Sequence, residues 1–161
     1  MNEDSQTDNE ITSLDSLGFL LGKWQAVSKP GEPTGGFEFA LQLHSKIIVR
    51  TNYADYAATS ERPAFRHEDL MIIYLDAEQG LHADYYDSEG HVIRYNGKIT
   101  GKNQVVFSNL PTASSPGFRL SYNLDQDGRL NGSFEVAQPN QPDSFTPYLA
   151  WLATKTSESN T

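Results

Sequence analysis

From Gly22 onward, apolar and polar residues alternate with a period of two, and this alternation constrains the fold more than any other feature of the chain. Successive side chains of a β-strand point to opposite faces, so such a pattern is typical of strands with one buried face. Turn residues separate roughly ten runs of this kind, and no second helical pattern interrupts them. The predicted strands are residues 23–28, 37–43, 46–56, 66–75, 81–86, 91–100, 104–108, 118–124, 130–136 and 146–154.

The connections between these strands favour a barrel over a sandwich. In a simple meander, residues 29–36, 57–65, 87–90, 109–117 and 137–145 would all lie at one end, and four of these five connections are long and contain proline. The other connections, near 44–45, 76–80, 101–103 and 125–128, are short and turn-like. We therefore predict an all-β, antiparallel up-and-down barrel of about 8–10 strands, with an open end rimmed by loops and a tightly turned closed end.

A short helix is predicted before the first strand. Ile11 and the leucines up to residue 21 recur at helical spacing, and Thr12 or Ser13 suits the N-cap. This helix would lie at the closed end of the barrel and plug it with Leu17, Leu20 and Leu21. Residues 1–10 are polar and acidic and are predicted to be a disordered tail. Residues 11–155 then form a single domain, followed by a second disordered tail at 156–161.

The junction of helix and first strand, Gly22-Lys23-Trp24, resembles the Gly-x-Trp signature of lipocalins and their calycin relatives. The resemblance implies a tryptophan packed beneath a basic residue of the last strand, for which Lys155 is the candidate. The chain also resembles a family of uncharacterised bacterial calycin-like barrels. The matching stretches are residues 20–24, 62–63, 67–71, 87–95 and 142–148. That family implies the fold and carries no activity over to this chain.

Composition limits the classes of partner. A formal net charge of −9 argues against nucleic acid and anionic membrane surfaces. The chain contains no cysteine, which excludes disulfides and thiolate chemistry, and no apolar run approaches a membrane span of roughly 18 residues. We expect a cytoplasmic protein whose partner is a small molecule; a homodimer is left open. No cofactor is predicted: phosphate-binding and dinucleotide motifs are absent, and no histidine follows His91 to ligate haem.

Candidate binding residues concentrate around segment 85–95, which contains three tyrosines, two carboxylates, one histidine and one arginine in one hairpin. Neighbouring strands bring further polar and aromatic groups to the same open end. Arginine suits a carboxylate or phosphate head group, and aromatic faces suit an apolar body. The predicted ligand-binding residues are Arg50, Asn52, His67, Asp69, Tyr85, Asp87, His91, Arg94, Tyr148 and Trp151. We therefore predict a barrel that binds a small, partly apolar ligand, with an anionic head group as one option.

Several alternatives stay open. The polar residues could instead form a satisfied structural network, with the barrel interior filled. His67 and His91 could meet with Asp69 or Asp87 as metal ligands, but no close histidine spacing supports this, and no metal site is predicted. A cofactor-free lyase or isomerase acting on a small aromatic or organic acid could use Tyr85, Tyr95, Arg94 and either Glu68 or Glu89. No signature of such an enzyme is present.

Overall fold

Ten antiparallel strands follow one short 3₁₀ helix in a computed structural model that describes residues 14–158. The helix spans Leu14–Leu20. The strands are β1 (Gly22–Ala26), β2 (Thr34–Gln42), β3 (Ile47–Tyr56), β4 (Phe65–Leu75), β5 (Leu81–Asp87), β6 (Val92–Gly101), β7 (Gln104–Asn109), β8 (Gly117–Leu124), β9 (Leu130–Ala137) and β10 (Thr146–Ser157). All ten predicted strands are confirmed. The predicted domain end at residue 155 falls two residues before the end of β10.

The strands form a closed meander. Each strand pairs with its neighbours in sequence, and β1 pairs with β10 to complete the barrel. All ten pairings are antiparallel, and Ala26 of β1 lies opposite Ala153 of β10. Closure leaves no strand edge unpaired, so every strand donates to and accepts from two neighbours. The predicted up-and-down barrel is confirmed.

The two ends of the barrel differ as their loop lengths predicted. One end, called the base here, carries the short connections 43–46, 76–80, 102–103 and 125–129. In the turn after β2, three consecutive residues, Leu43, His44 and Ser45, have positive φ angles. The other end, called the mouth, carries connections 27–33, 57–64, 88–91, 110–116 and 138–145. Of these, only 88–91 is a tight hairpin turn.

The N-terminal helix closes the base. Leu14, Leu17 and Leu20 recur every three residues, which aligns them on one face of a helix with three residues per turn. Leu17 and Leu20 are fully buried, and the carbonyl of Leu20 accepts a 2.8 Å hydrogen bond from Trp24 Nε1. Lys155 Nζ lies 5.4 Å from the centroid of the Trp24 ring, as the Gly-x-Trp resemblance implied. The predicted caps Thr12 and Ser13, Ile11 and the tail 1–10 lie outside the described residues.

The half of the interior nearer the base is filled. Phe39, Tyr122, Phe107, Met71 and Ile73 meet there with little or no exposure to solvent. Phe39 packs edge-on against Tyr122 at 5.4 Å between ring centroids, and Tyr122 in turn packs edge-on against Trp151 at 6.0 Å. Within the described residues, no helix has both the length and the apolar character needed to cross a membrane.

Candidate functional site

A buried arginine marks the boundary between the filled half of the barrel and the mouth. Arg50 lies on the inward face of β3 and is 6% exposed. Its Nη1 donates to the Tyr122 hydroxyl on β8, on the opposite side of the barrel, and its Nη2 pairs with Asp69 on β4. The side chains of Arg50 and Asp69 are 7% and 5% exposed. A buried charge is tolerated only when paired and hydrogen-bonded. Both Nη atoms of Arg50 meet that condition, while its buried Nε has no hydrogen-bond partner among the described residues.

Asp69 has two further partners on the inward face. Asn52 Nδ2 donates to its Oδ2 at 2.8 Å, and the same oxygen lies 3.1 Å from His67 Nε2. The β3–β4 register places Asn52 directly opposite Asp69, so the first of these bonds follows from strand pairing. Asp69 is thus held from two sides, and the charge of Arg50 is already neutralised.

A second carboxylate stands beside the first. Asp87 is directly opposite Asp69 in the β4–β5 register, an arrangement of like charges that is unfavourable without separate partners. Asp87 Oδ1 accepts 2.9 Å hydrogen bonds from the backbone N–H groups of Glu89 and His91. Its Oδ2 accepts from the Tyr85 hydroxyl at 3.1 Å and lies 2.9 Å from His91 Nδ1. The hairpin turn therefore fixes the carboxylate in one orientation.

These contacts and burial shift the pKa values of Asp87 and of the side chains around it. Burial alone would raise the pKa of Asp87, but the hydrogen bonds from His91 and Glu89 outweigh it and lower the pKa. The hydrogen bond to Asp87 raises the pKa of His91. Burial, reinforced by the charges of Asp69 and Asp87, raises the pKa of Tyr85, so its phenol stays protonated and acts as a donor. Burial likewise raises the pKa of Tyr95.

His67 contacts carboxylates on both sides, Asp69 on its own strand and Glu89 in the hairpin turn. Its Nε2 faces Asp69, its Nδ1 lies 3.3 Å from Glu89 Oε1, and the Tyr85 hydroxyl is 3.5 Å from Nε2. His67 also forms, with Asp87 and Glu89, a group whose ligand atoms all lie within 4.8 Å of one another. Within the described residues, this is the set of side chains best placed to hold a metal ion.

Seven of the ten predicted ligand-binding residues belong to this connected network: Arg50, Asn52, His67, Asp69, Tyr85, Asp87 and His91. Trp151 lies in the barrel wall below it, against Tyr122. Tyr148 is 76% exposed and contacts Phe134, 6.0 Å away between ring centroids.

Arg94 is not in the network. It is exposed and pairs in register with Asp84, on the opposite face of β6 from the buried Tyr95. Glu68 is exposed as well, because it alternates with the inward-facing His67 and Asp69. The groups considered for a lyase are therefore split between the two faces of the sheet. Sequence reasoning missed Tyr122 as a network member, since its hydrogen-bond partner lies 72 positions away along the chain.

An apolar wall faces the polar network across the mouth. Phe118 and Phe134 stack with 5.6 Å between ring centroids, and both are half-buried. Leu149 pairs in register with Phe134 and shares the inward face of β10 with Trp151, yet it is 55% exposed. An inward-facing leucine can be so exposed only if the mouth is open to solvent beside it. We call this open upper part of the interior the cup: a polar wall of Asn52, His67, Tyr85 and Asp87, and an apolar wall of Phe118, Phe134 and Leu149.

Two clefts accompany the barrel, and neither is enclosed within it. One, of about 480 Å³, lies at the rim between β2 and the β3–β4 connection. It is lined by the stacked rings of Tyr56 and Phe65 together with Glu32 and Asp55. The other, of about 250 Å³, runs along β8 and β9 between residues 121–123 and 131–133. Tyr122 lines the second cleft, and the other members of the polar network line neither of the two.

Comparison with known proteins gives no guide to the function of this chain. No known protein family matches the chain, and no curated protein sequence matches it.

Proposed function

We propose that the protein binds a small, partly apolar molecule in the cup. The observation that carries this proposal is the pairing of an exposed inward-facing apolar wall with a polar wall opposite. Leu149 is 55% exposed on the inward face, and Phe118 and Phe134 stack beside it. Binding would cover these side chains, and burial of apolar surface contributes about 25 cal/mol per Å². Ligand sites in proteins commonly combine such apolar faces with a few fixed polar groups.

The polar wall of the cup best suits a ligand whose polar end is neutral or cationic and donates hydrogen bonds. Arg50 would have to give up Asp69 to bind an anion, and both side chains are almost completely buried. Within the described residues, the groups nearer the rim are Asp87 and Glu89, with His67 and His91 between them. Carboxylate oxygens accept hydrogen bonds and favour positive charge. We therefore replace the anionic head group expected from the sequence with an amine, amidine or hydroxyl.

The proposal includes a relationship to the lipocalin-like barrels. Three features support it: the Gly22-Lys23-Trp24 junction, the helix that closes the base, and the contact of Lys155 with Trp24. These features concern the closed end of the barrel, so they bear on the fold and leave the ligand open.

Native mass spectrometry of protein purified from its own host tests the proposal, because a bound molecule would be retained and weighed. A thermal-shift panel of aromatic amines, aromatic alcohols and fatty acids then distinguishes the head groups. We expect amines and alcohols to raise the melting temperature more than fatty acids of similar size. Fatty acids alone giving a shift would overturn the cationic or neutral head group.

A matched pair of variants locates the site. Leu149→Gln changes a side chain that is 55% exposed inside the mouth, and Val92→Gln changes one that is 56% exposed on the outer face of β6. We expect Leu149→Gln to weaken binding of the best amine and Val92→Gln to leave it unchanged. Equal effects of the two variants, or no adduct and no thermal shift at all, would contradict binding in the cup.

A further inference from the structure

Three side chains at the mouth bring their ligand atoms within 4.8 Å of one another beside the 88–91 turn: His67 from β4, Asp87 at the end of β5 and Glu89 in the turn. His91, at the end of the turn, lies beside this group. His91 Nδ1 lies 2.9 Å from Asp87 Oδ2 and 3.7 Å from Glu89 Oε2, and His67 Nδ1 lies 3.3 Å from Glu89 Oε1. A tetrahedral metal with bonds of about 2.0–2.2 Å has ligand atoms roughly 3.4 Å apart. The observed separations are within a few tenths of an ångström of that spacing.

The hydrogen bonds behind His67 prepare its free nitrogen for a cation. Asp69 is a carboxylate held by Arg50 and Asn52, so it can only accept, and His67 Nε2 must carry the proton that it donates. Nδ1 of the same ring faces an oxygen of Glu89 3.3 Å away, so a metal ion that takes the place of a ring proton would lie between two ligand atoms. Histidines that bind a metal are usually oriented in this way, by a carboxylate that does not itself contact the metal.

The hairpin turn orients the second ligand in the same manner. Asp87 Oδ1 is held by two backbone N–H groups, and Oδ2 accepts from the Tyr85 hydroxyl and lies 2.9 Å from His91 Nδ1. The Asp87 side chain is only 4% exposed, so its position is set by the fold. Because Arg50 is neutralised by Asp69, Asp87 and Glu89 have only imidazoles as nearby counter-groups within the described residues. Two carboxylates and one imidazole suit a divalent first-row transition metal.

We propose that His67, Asp87 and Glu89 bind one divalent transition-metal ion such as Zn²⁺ at the rim of the barrel, with His91 supporting Asp87 from beside the site. This inference goes beyond the proposed function and does not depend on an organic ligand. The network of Arg50, Asn52 and Asp69 supports the site from below by holding His67 in a single orientation.

Isothermal titration of the EDTA-treated, dialysed full chain with ZnCl₂ tests the proposal. Titration with CoCl₂ adds a visible absorption spectrum that reports tetrahedral coordination. We expect one ion per chain. His91→Ala and Glu89→Gln should each weaken binding by at least about tenfold, since loss of even an outer support commonly has that effect. Both side chains are more than half exposed, so metal-free thermal melts should show that these variants fold.

His82→Ala is the matched control. His82 Nε2 lies 2.7 Å from Asp76 at the base, so this pair offers an imidazole and a carboxylate without the second carboxylate present at the rim. Zn²⁺ affinity should be unchanged in this variant. The proposal is overturned if no ion binds in a one-to-one ratio. It is also overturned if His91→Ala and Glu89→Gln bind as tightly as the wild type, or if His82→Ala abolishes binding.

Discussion

The pair of Arg50 and Asp69 offers the sharpest test of how the barrel is held together. Arg50→Met keeps most of the side-chain volume and removes the guanidinium, so Asp69 stays buried without its charged partner. Breaking a buried ion pair from one side costs about 3–5 kcal/mol. Asp69 keeps Asn52 and His67 as partners, so we expect the lower end, about 3 kcal/mol. At about 2–4 °C per kcal/mol, the melting temperature should fall by roughly 6–12 °C.

Urea denaturation followed by tryptophan fluorescence measures the loss, because Trp24 and Trp151 both lie in the barrel wall. Arg66→Met is the matched control. Arg66 forms a two-pronged pair with Asp55 across the same two strands, with hydrogen bonds of 2.7 and 2.8 Å, but both partners are exposed. Exposed pairs contribute little because water screens them. We expect a clearly smaller loss for Arg66→Met than for Arg50→Met.

A double variant, Arg50→Met with Asp69→Asn, then separates pairing from packing. Removing both charges leaves no uncompensated ion, so the double variant should lose less than the sum of the single losses, with a coupling energy of about 1 kcal/mol or more. The reasoning would be refuted if the two single losses added in the double variant. It would be refuted as well if Arg50→Met and Arg66→Met lowered stability equally.

Two further predictions concern the base and the core. Hydrogen bonds from His82 and from the backbone of its turn lower the pKa of Asp76, so its stabilising contribution is present above its unfolded pKa of about 4 and is lost as pH falls through the folded pKa. The stability difference between wild type and Asp76→Asn should therefore shrink between pH 7 and pH 3 in urea melts; a constant difference would contradict it. A methyl group at Gly132 would overlap the Trp151 ring, so Gly132→Ala should cost about 1–3 kcal/mol by circular-dichroism melts. Trp151→Leu in that background should recover part of the loss, and no recovery would place the strain elsewhere.

The fold was predictable because its signals are local. Alternation with a period of two identifies each strand, and loop length identifies the two ends of a meander. The strand ends were less accurate where side chains carry no signal. β2 begins at Thr34, three residues before the predicted start, because Gly35 and Gly36 have no side chain to show the alternation. Both glycines are buried, and a Cβ at Gly36 would lie only 2.9 Å from the Trp24 carbonyl oxygen.

The candidate site was predictable only in part, for a related reason. Asn52, His67, Asp69 and Asp87 lie on adjacent strands, and pairing alone brings them to one end. The orientation of Arg94 could have been predicted, because Asn96 and Lys98 share its face of β6 while Ile93, Tyr95 and Ile99 lie on the other face. In the structure Tyr95 is inward and Arg94 is exposed.

The hydrogen bond between Arg50 and Tyr122 could not be predicted, and it changes what the mouth can bind. The sequence contains Arg50 and many acidic residues, but it does not show which carboxylate pairs with this arginine. Across the barrel, Tyr122 holds one end of the guanidinium while Asp69 takes the charge. The acidic groups left toward the rim then favour a cation, whether an amine on a small molecule or a metal ion. Both proposals depend on this one neutralised arginine. If the wild type bound fatty acids and Arg50→Met lost that affinity, Arg50 would be free to bind an anion, and this result would count against both.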